Sequence, residues 1–265
     1  MQVSNFRIQV LLMSIILLMG PHSFAGDKKP NPEFYQIKVY HFNKPEQEKI
    51  IEDYLQSAYL PALHRAGIKK VGFFKPLAND TAMDKIIYVF IPASNAGKLI
   101  NLATLIENDS THNAAGKQYL ESVYTNPPYV RIETILLRAF RKALQMEMPK
   151  LSSPHMDHIY ELRSYESATE NLYINKVKMF NEGGEVTLFK RLGFNAVFYA
   201  EVISGARMPN LMYMTCFENK ETRDKLWKSF SDDAEWKRLS SLPEYQHNVS
   251  KADIILMHAT NYSDL

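Results

Sequence analysis

The sequence has little of what several common classes of protein require. Its 265 residues include one cysteine and ten glycines. A single cysteine excludes a disulfide framework and any Cys-x-x-Cys pair for metal or redox chemistry. The chain also has no glycine-rich phosphate loop, no dinucleotide fingerprint and no Ser/His/Asp order. The lone Cys216 lies in the apolar run 211–217, which predicts a buried thiol within a strand.

The chain also has little excess of either positive or negative charge. The chain carries 31 basic and 29 acidic residues, for a formal net charge of +2, without a long run of either sign. This distribution predicts no nucleic-acid partner. Hydrophobic residues make up 46% and charged residues 23%, which is typical of a globular protein.

The first 25 residues are predicted to be a cleaved signal peptide. Arg7 supplies positive charge, residues 8–19 are mostly apolar, and Ser23-Phe24-Ala25 offers the small residues that a signal peptidase recognises. The alternative is a membrane anchor, but about a dozen apolar residues are too few to span a bilayer. Cleavage would leave the polar leader 26–33 on a secreted or periplasmic protein. No second long apolar stretch follows, so we expect no stable membrane insertion after cleavage.

Two stretches of the sequence, 125 positions apart, share one pattern. Tyr35-x-Ile37-x-x-Tyr40 and Tyr160-x-Leu162-x-x-Tyr165 both alternate apolar or aromatic with polar residues, as half-buried strands do. Tyr88 and Tyr213, each in a later apolar run, are separated by the same 125 positions. A near-constant offset indicates that the chain contains two copies of one unit.

Each copy is predicted to follow the order strand, helix, strand, strand, helix, strand. This order describes a split-βαβ, ferredoxin-like unit with one uncovered sheet face. Two units in one chain can bury these faces against each other and close a barrel, whose interior is then the predicted cavity. We therefore predict an α+β fold of two tandem ferredoxin-like (βαββαβ) repeats, 34–143 and 158–265, joined by the linker 144–157. The predicted strands are 34–42, 69–75, 84–91, 130–137, 159–165, 196–202, 211–217 and 253–258.

Several motifs of the second copy occur together in one known family. They are Tyr160-Glu161-Leu162-Arg163-x-Tyr165, the segment 188–195, the loop and strand 205–214, Trp227-x-x-Phe230 and Asp233-x-x-Trp236. With these motifs, the region from Ile159 to Leu265 resembles the NIPSNAP family, a branch of the dimeric α/β-barrel superfamily. The first copy is similar only in outline, because Tyr119 stands about where Trp236 does and the Arg-Met-Pro-Asn loop has no counterpart.

The resemblance implies an intrachain version of the dimeric α/β-barrel. A secreted two-repeat arrangement is similar to bacterial, envelope-bound members. The family implies no settled reaction, although its superfamily includes cofactor-free oxygenases and haem-handling enzymes.

Glu161 and Arg163 are the candidate catalytic residues. They alternate with Tyr160 and Leu162 on one strand, so the charged pair would face the barrel interior if the apolar pair faces the helices. Glu161 would then be a base and Arg163 an anion clamp. The alternative, which we favour, is a structural ion pair at the sheet.

Other residues are candidates for binding a ligand inside the cavity. Arg207, in a loop, is either a carboxylate or phosphate contact or a residue that fixes the loop. Each aromatic candidate has a packing role as its alternative. The ligand-binding candidates are Tyr165, Tyr199, Arg207, Asn210, Tyr213, Trp236 and His258.

Metal and cofactor sites are not predicted. His155-Met156-Asp157-His158 is the one histidine cluster, but an extended His-x-x-His does not place both rings on one side, and no further zinc ligands have suitable spacing. His41 and His258 end predicted strands and are candidates for buried donors or pH-sensitive groups.

Three functional hypotheses follow from the sequence. The leading one is a secreted or periplasmic binding or scaffold protein with a small organic ligand between its sheets. The second is a cofactor-independent enzyme of the oxygenase or isomerase kind, by analogy with the superfamily. The third is a protein that forms homo-oligomers through exposed strand edges or helices.

Overall fold

The computed structural model of the chain describes residues 30–265. The predicted signal peptide 1–25 and residues 26–29 of the leader lie outside the described residues. In the described part, no helix combines the length and the apolar character needed to cross a membrane.

Residues 30–265 form eight strands and ten α-helices. The strands are β1 (Phe34–Phe42), β2 (Gly72–Pro76), β3 (Lys85–Ala93), β4 (Arg131–Ala139), β5 (Ile159–Glu166), β6 (Asn195–Ser204), β7 (Asn210–Phe217) and β8 (Lys251–Ala259). The helices of the first half are α1 (Pro45–Tyr54), α2 (Leu60–Arg65), α3 (Ala96–Ile100), α4 (Leu102–Glu107), α5 (Ser110–Ala115) and α6 (Lys117–Leu120). Those of the second half are α7 (Glu170–Asn181), α8 (Glu185–Arg191), α9 (Lys220–Asp232) and α10 (Ala234–Ser240). A π-helical turn, Leu55–Tyr59, joins α1 to α2.

The strands close into one antiparallel barrel in the order β1-β3-β2-β8-β5-β7-β6-β4. Within each half, the first strand pairs with both the third and the fourth. The two halves join where β2 pairs with β8 and β4 pairs with β6. The protein therefore has an α+β fold with a closed eight-stranded barrel. Because the barrel is closed, none of the described strands offers the free edge that the third hypothesis considered for oligomerisation.

The middle of the barrel interior is a packed core, so the predicted cavity between the sheets is confined to one end of the barrel. Side chains alternate across each strand, and the inward set is apolar. Phe90 and Phe198 stack with ring centroids 4.9 Å apart, and Tyr35 lies 5.1 Å from Phe90. These large rings fill the middle of the barrel, so open space remains only towards its end.

The helices cover the outside of the barrel in two separate layers. In the first half, Tyr40 and Ile87 of the sheet pack against Ile51 and Leu63 of the helices. In the second half, Tyr213 packs against Phe180 and Phe189, as part of a dense aromatic cluster. Each half therefore has its own outer core in addition to the shared inner one.

Strand register corrects one of the sequence landmarks. Tyr88 lies opposite Val39, and its ring is part of the inner core, whereas Tyr213 lies opposite Arg163 and faces the helices. Since successive residues of a strand point to opposite faces, a difference of one position reverses the direction of the side chain. The residue equivalent to Tyr88 is therefore Met212, at an offset of 124.

Element boundaries differ from the predictions by a few residues. The third strand continues through Pro92, which lies opposite Tyr35, to Ala93, because Ala93 is still buried against the helices. Helix α10 is capped by Asp233, whose carboxylate accepts from the backbone N–H groups of Glu235 and Trp236.

Candidate functional site

A cavity of about 570 Å³ opens at one end of the barrel. Its rim includes the β2–β3 and β6–β7 connections, and its walls include the ends of β1 and β5 and the beginnings of β4 and β8. Apolar side chains such as Val39, Ile135 and Met212 form its floor, while charged side chains lie at its rim. We call this space the mouth cavity. Its volume is in the range of small-molecule sites.

His41 of β1 is a buried polar residue of the mouth cavity, with 4% of its surface exposed. Its Nδ1 lies 2.9 Å from Asp84 Oδ2, and its Nε2 lies 3.3 Å from Glu133 Oε1. Arg131 forms an ion pair with Glu133 and places Nη2 3.3 Å from His41 Nδ1. A doubly protonated ring would donate towards both carboxylates, whereas a neutral ring donating to Asp84 leaves Nε2 as an acceptor.

Arg207 crosses the rim on the opposite side of the cavity. Its guanidinium forms ion pairs with Glu166 of β5 and Asp253 of β8. Partial burial would lower the pKa of Arg207, but the hydrogen bonds and charges of Asp253 and Glu166 raise it above its usual value. The backbone of Arg207 has φ 71°, in the left-handed region, so these pairs hold a tight β6–β7 connection. These contacts fit the loop-fixing interpretation of Arg207, and the ligand contact stays a prediction for a residue at the rim of the cavity.

Asn210 lies deeper than Arg207, at the beginning of β7. Its side-chain Nδ2 donates to Ser164 Oγ over 2.8 Å, and both residues are buried and line the mouth cavity. Tyr88 lines the cavity from β3, where burial and the charges of Glu133 and Asp253 raise its pKa to about 12. Its hydroxyl therefore remains a neutral donor or acceptor at the base of the cavity.

The rim combines equivalent positions of the two halves. His41 and Glu166 are 125 positions apart at the ends of β1 and β5. Glu133 and Asp253 are 120 positions apart near the beginnings of β4 and β8. The same location therefore carries a His–Asp–Glu cluster on one side and an Arg-centred cluster on the other. The site is therefore asymmetric, although the first strand pairs with the third and the fourth in both halves.

Glu161 and Arg163 do not face the barrel interior, which corrects the predicted orientation. Tyr160 and Leu162 belong to the inner core, so the charged pair points towards α9. Glu161 is fully buried and accepts from Arg163, from Arg223 and, over 3.0 Å, from Trp227 Nε1. The apolar pair took the inner face because the barrel core is dry, whereas the helix layer supplies partners for charge.

Arg163 completes a continuous polar chain in the second helix layer. Its Nη1 donates to the Tyr165 hydroxyl over 2.8 Å, and that hydroxyl lies 2.9 Å from the Tyr213 hydroxyl. Burial would lower the pKa of Arg163, but Tyr213, Tyr165 and Glu161 raise it above its usual range. These groups satisfy one another, which is the arrangement expected of a structural network.

The other aromatic candidates also lie in this helix layer. Tyr199 is buried and stacks on Tyr213 with centroids 5.6 Å apart, and Trp236 packs on Phe230 at 4.4 Å. None of Tyr165, Tyr199, Tyr213 and Trp236 lines the mouth cavity. Of the seven ligand-binding candidates, the structure therefore brings together only Arg207 and Asn210 at that cavity.

His258 lies apart from both groups. It is on the outer face of β8, where its Nδ1 is 2.9 Å from the backbone oxygen of His158. The rings of His155 and His158 are 5.8 Å apart. Across residues 30–265, no three His, Cys, Asp or Glu side chains are grouped so as to hold a metal ion.

Sequence reasoning missed most of the His41 cluster. His41 was recognised as the end of a strand, but Asp84 and Glu133 carry no motif and lie 43 and 92 positions further along the chain. Only the pairing of β1 with β3 and with β4 brings the three side chains to one place. The one available signal was a polar residue ending each of several otherwise apolar strands.

Comparisons with known proteins found a family model that matches the second half of the chain and solved structures that share its overall fold. The NIPSNAP family model matches residues 160–264. Two solved structures of proposed monooxygenases have the same fold. One, from Lactobacillus acidophilus NCFM, is 11% identical, with a TM-score of 0.56 over 86% of this chain and 94% of that chain. The other, from Fusobacterium nucleatum subsp. nucleatum, is 8% identical, with a TM-score of 0.55 over 86% of this chain and 93% of that chain.

A NIPSNAP family protein from Agrobacterium tumefaciens str. C58 is 18% identical and aligns with 44% of this chain and 98% of its own, with a TM-score of 0.37. No curated protein sequence matches the chain. The likeness to the two proposed monooxygenases, at 11% and 8% identity, shows that this chain shares their fold and shows nothing about the reaction.

Proposed function

Residues 160–264 of this chain form a NIPSNAP domain, and from that premise we propose that the protein binds a small organic ligand in the mouth cavity. The observation that carries the proposal is the composition of this cavity. The cavity has a volume of about 570 Å³, and its apolar floor lies beneath a rim that carries charges of both signs. Such a site favours a molecule with an apolar body and both donor and acceptor groups.

The rim has groups of both signs, and this balance limits the ligand class. Arg131, Arg207 and Lys251 face Asp84, Glu133 and Asp253 around the opening. Because the charges are balanced, a strongly anionic ligand such as a polyphosphate would meet three carboxylates. A neutral or zwitterionic molecule fits the rim better.

Two further parts of the proposal concern the chain as a whole. We propose that the halves are tandem ferredoxin-like repeats, since both show the pairing of the first strand with the third and fourth. We also propose that the mature protein begins at Gly26 and is secreted or periplasmic. N-terminal sequencing of the exported product tests this location, and a product that retains Met1 in the cytoplasmic fraction contradicts it.

Native mass spectrometry of residues 26–265, compared with the denatured mass, tests ligand binding directly. The expected result is a native mass above the polypeptide mass by that of one small molecule. Ala206→Trp, an exposed change at the rim, should remove the added mass by blocking the opening. The matched control is Ala115→Trp, an equally exposed position on the helix layer, which should keep it.

Two results would overturn the binding proposal. One is a native mass equal to the polypeptide mass under gentle conditions, also after incubation with an extract of the source cells. The other is an added mass that survives Ala206→Trp, because the molecule would then lie elsewhere. The native mass also reports the number of subunits.

One observation favours the second candidate, a cofactor-independent enzyme. His41 is held by Asp84 at the wall of the cavity, and no described residue forms a geometrically good hydrogen bond to its Nε2. A histidine oriented by a carboxylate beside a cavity is suited to move a proton. Under this alternative, His41→Gln would abolish turnover of the identified ligand but leave its binding within about threefold. Equal turnover by the variant would exclude it.

A further inference from the structure

A second cavity, of about 420 Å³, lies in the first half between the sheet and its helices. The outer faces of β1 and β4 form one wall, and α4, α5 and the π-helical turn form the others. We call it the helix-layer cavity. It shares no lining residue with the mouth cavity.

Lys38 of β1 is the cationic group of this cavity. Its ammonium lies 5.2 Å from the centre of the Tyr59 ring. Burial lowers the pKa of Lys38, and no charge or hydrogen bond from the described residues opposes that effect. A half-buried ammonium without an anionic partner is a costly arrangement, which an anion entering the cavity would relieve.

Two further donors lie on the same sheet face. Thr134 of β4 is the register partner of Lys38, and Gln36 is two positions away on β1, so all three side chains project from adjacent points. All three line the cavity. The Gln36 amide and the Thr134 hydroxyl are both groups that can donate a hydrogen bond to a ligand in this cavity.

At the equivalent place in the second half, side chains fill the space between the sheet and its helices. Gln36 and Lys38 are equivalent to Glu161 and Arg163, 125 positions later. There, Arg163 is paired with Glu161 and stacked on Trp227 of α9, with 3.6 Å from its guanidinium carbon to the ring centre.

In the first half, both the carboxylate and the indole are missing at these positions. Helices α3 and α9 begin at equivalent caps, Asn95 and Asn219, whose side chains accept from the third residue on. Counting eight residues from each cap aligns Ala103 with Trp227 in sequence, across a break between α3 and α4 that the continuous α9 lacks. Ala103 lines the helix-layer cavity. A methyl group in place of an indole accounts for the open volume, and glutamine in place of glutamate accounts for the unpaired cation.

The remaining walls are apolar and firmly held. Leu102 and Ile106 are buried at 3% and 5% exposure, and Tyr54 stacks on Tyr119 with ring centroids 3.9 Å apart. The Tyr54 hydroxyl lies 3.1 Å from His112 Nε2, which fixes the wall opposite the sheet. The one carboxylate of the lining, Glu107, is exposed at the rim and forms no ion pair with Lys38.

We propose that the helix-layer cavity binds a small organic carboxylate, with the carboxylate on Lys38, Gln36 and Thr134 and the apolar body against Leu102 and Ile106. Such a ligand supplies the two groups that Glu161 and Trp227 supply in the second half. This site is separate from the proposed site in the mouth cavity, and either can exist without the other.

Isothermal titration with octanoate, and with octanamide as the neutral analogue, tests the proposal on residues 26–265. Octanoate should bind with one site per chain and at least about tenfold more tightly than octanamide. Lys38→Met should remove this preference, so that the two compounds bind alike. Lys69→Met, which removes the same charge from an exposed position outside the cavity, should leave octanoate affinity unchanged.

Ala103→Trp tests the origin of the cavity. The indole should occupy the space, as Trp227 does, and reduce octanoate affinity at least about tenfold with Lys38 still present. If this variant fails to fold, as judged by circular dichroism, Lys38→Met decides alone. Ala206→Trp at the mouth cavity should have no effect, which shows that octanoate is not bound there.

Three results would overturn the inference. They are equal affinity for octanoate and octanamide, unchanged octanoate affinity in Lys38→Met, and absence of octanoate binding up to millimolar concentration. None of them bears on the mouth cavity, because its test uses the co-purifying ligand and the Ala206→Trp change.

Discussion

The guanidinium of Arg163 lies over the ring of Trp227, with its central carbon 3.6 Å from the centre of the ring. The same guanidinium is paired with the buried Glu161, which Arg223 also contacts. A charge cluster of this kind is stable only as a complete set, because each buried charge depends on its partner. Its absence from the first half, where Lys38 stands alone, is the largest chemical difference between the two helix layers.

Removing Arg163 should destabilise the protein strongly. Arg163→Met leaves the Glu161 carboxylate buried with Arg223 as its remaining cation. Because one of the two cations of a buried carboxylate is lost, its charge is only partly compensated, and we expect a loss of about 3 kcal/mol in the free energy of unfolding. Urea denaturation monitored by tryptophan fluorescence measures it.

Arg138→Met is the matched control for this change. Arg138 is half exposed and pairs with Glu201 at 3.2 Å, so its loss should cost less than about 1 kcal/mol. Similar costs for the two variants would contradict the structural role assigned to the Arg163 cluster.

A second prediction concerns the packed interior of the barrel. Phe198→Ala removes a ring that stacks on Phe90 and lies 5.3 Å from Tyr35, at a position that is 2% exposed. The cavity left behind should cost about 3–5 kcal/mol in the free energy of unfolding. Ile254→Ala, on the outer face and 49% exposed, should cost about 0.5 kcal/mol. A small loss for Phe198→Ala would mean that the interior is not packed.

Glu218 should make the linker sensitive to acid. Hydrogen bonds from the backbone N–H and side chain of Ser152 and from the backbone N–H of Ser153 lower the pKa of Glu218 from 4.5 to about 2. A carboxylate with a lowered folded-state pKa stabilises the fold above its unfolded pKa and loses that effect as the pH falls towards the folded value. The stabilisation should therefore be full above about pH 5 and decline between about pH 4.5 and 2.

Comparison of the wild type with Glu218→Gln isolates this effect from other carboxylates. The melting temperature of the variant should be lower at neutral pH, and the difference should shrink as the pH falls below about 4. A difference that is constant between neutral and acid pH would show that the Glu218 charge has no role in holding Ser152 and Ser153.

Cys216 should be inert in the folded protein. It is fully buried in β7, and burial raises the pKa of its thiol to about 12. Since the thiolate is the reactive form, the native protein at about pH 8 should not react with Ellman's reagent within an hour. The denatured protein should release one equivalent. Fast reaction of the native protein, or a disulfide-linked dimer without reducing agent, would contradict the buried location.

The sequence by itself determined the strand pattern and the type of fold. The prediction of eight strands and of a closed barrel is confirmed, because alternation of apolar and polar residues has a period that only a strand satisfies. The motifs that indicated NIPSNAP lie within the matched region 160–264. The buried state of Cys216 was equally predictable, since its neighbours in the chain are apolar.

The tertiary structure alone decided which way the charged residues face and which of them meet. Alternation shows that Glu161 and Tyr160 point to opposite sides of the sheet, but both sides of this sheet are buried, so the pattern does not say which side is the barrel. The His41 cluster depends on residues far apart in the chain, brought together by strand pairing. The helix-layer cavity is lined by residues of β1, of β4 and of the helices, so it exists only once these elements pack together. Periodicity is a local property, whereas cavities and ion pairs depend on contacts between distant parts of the chain.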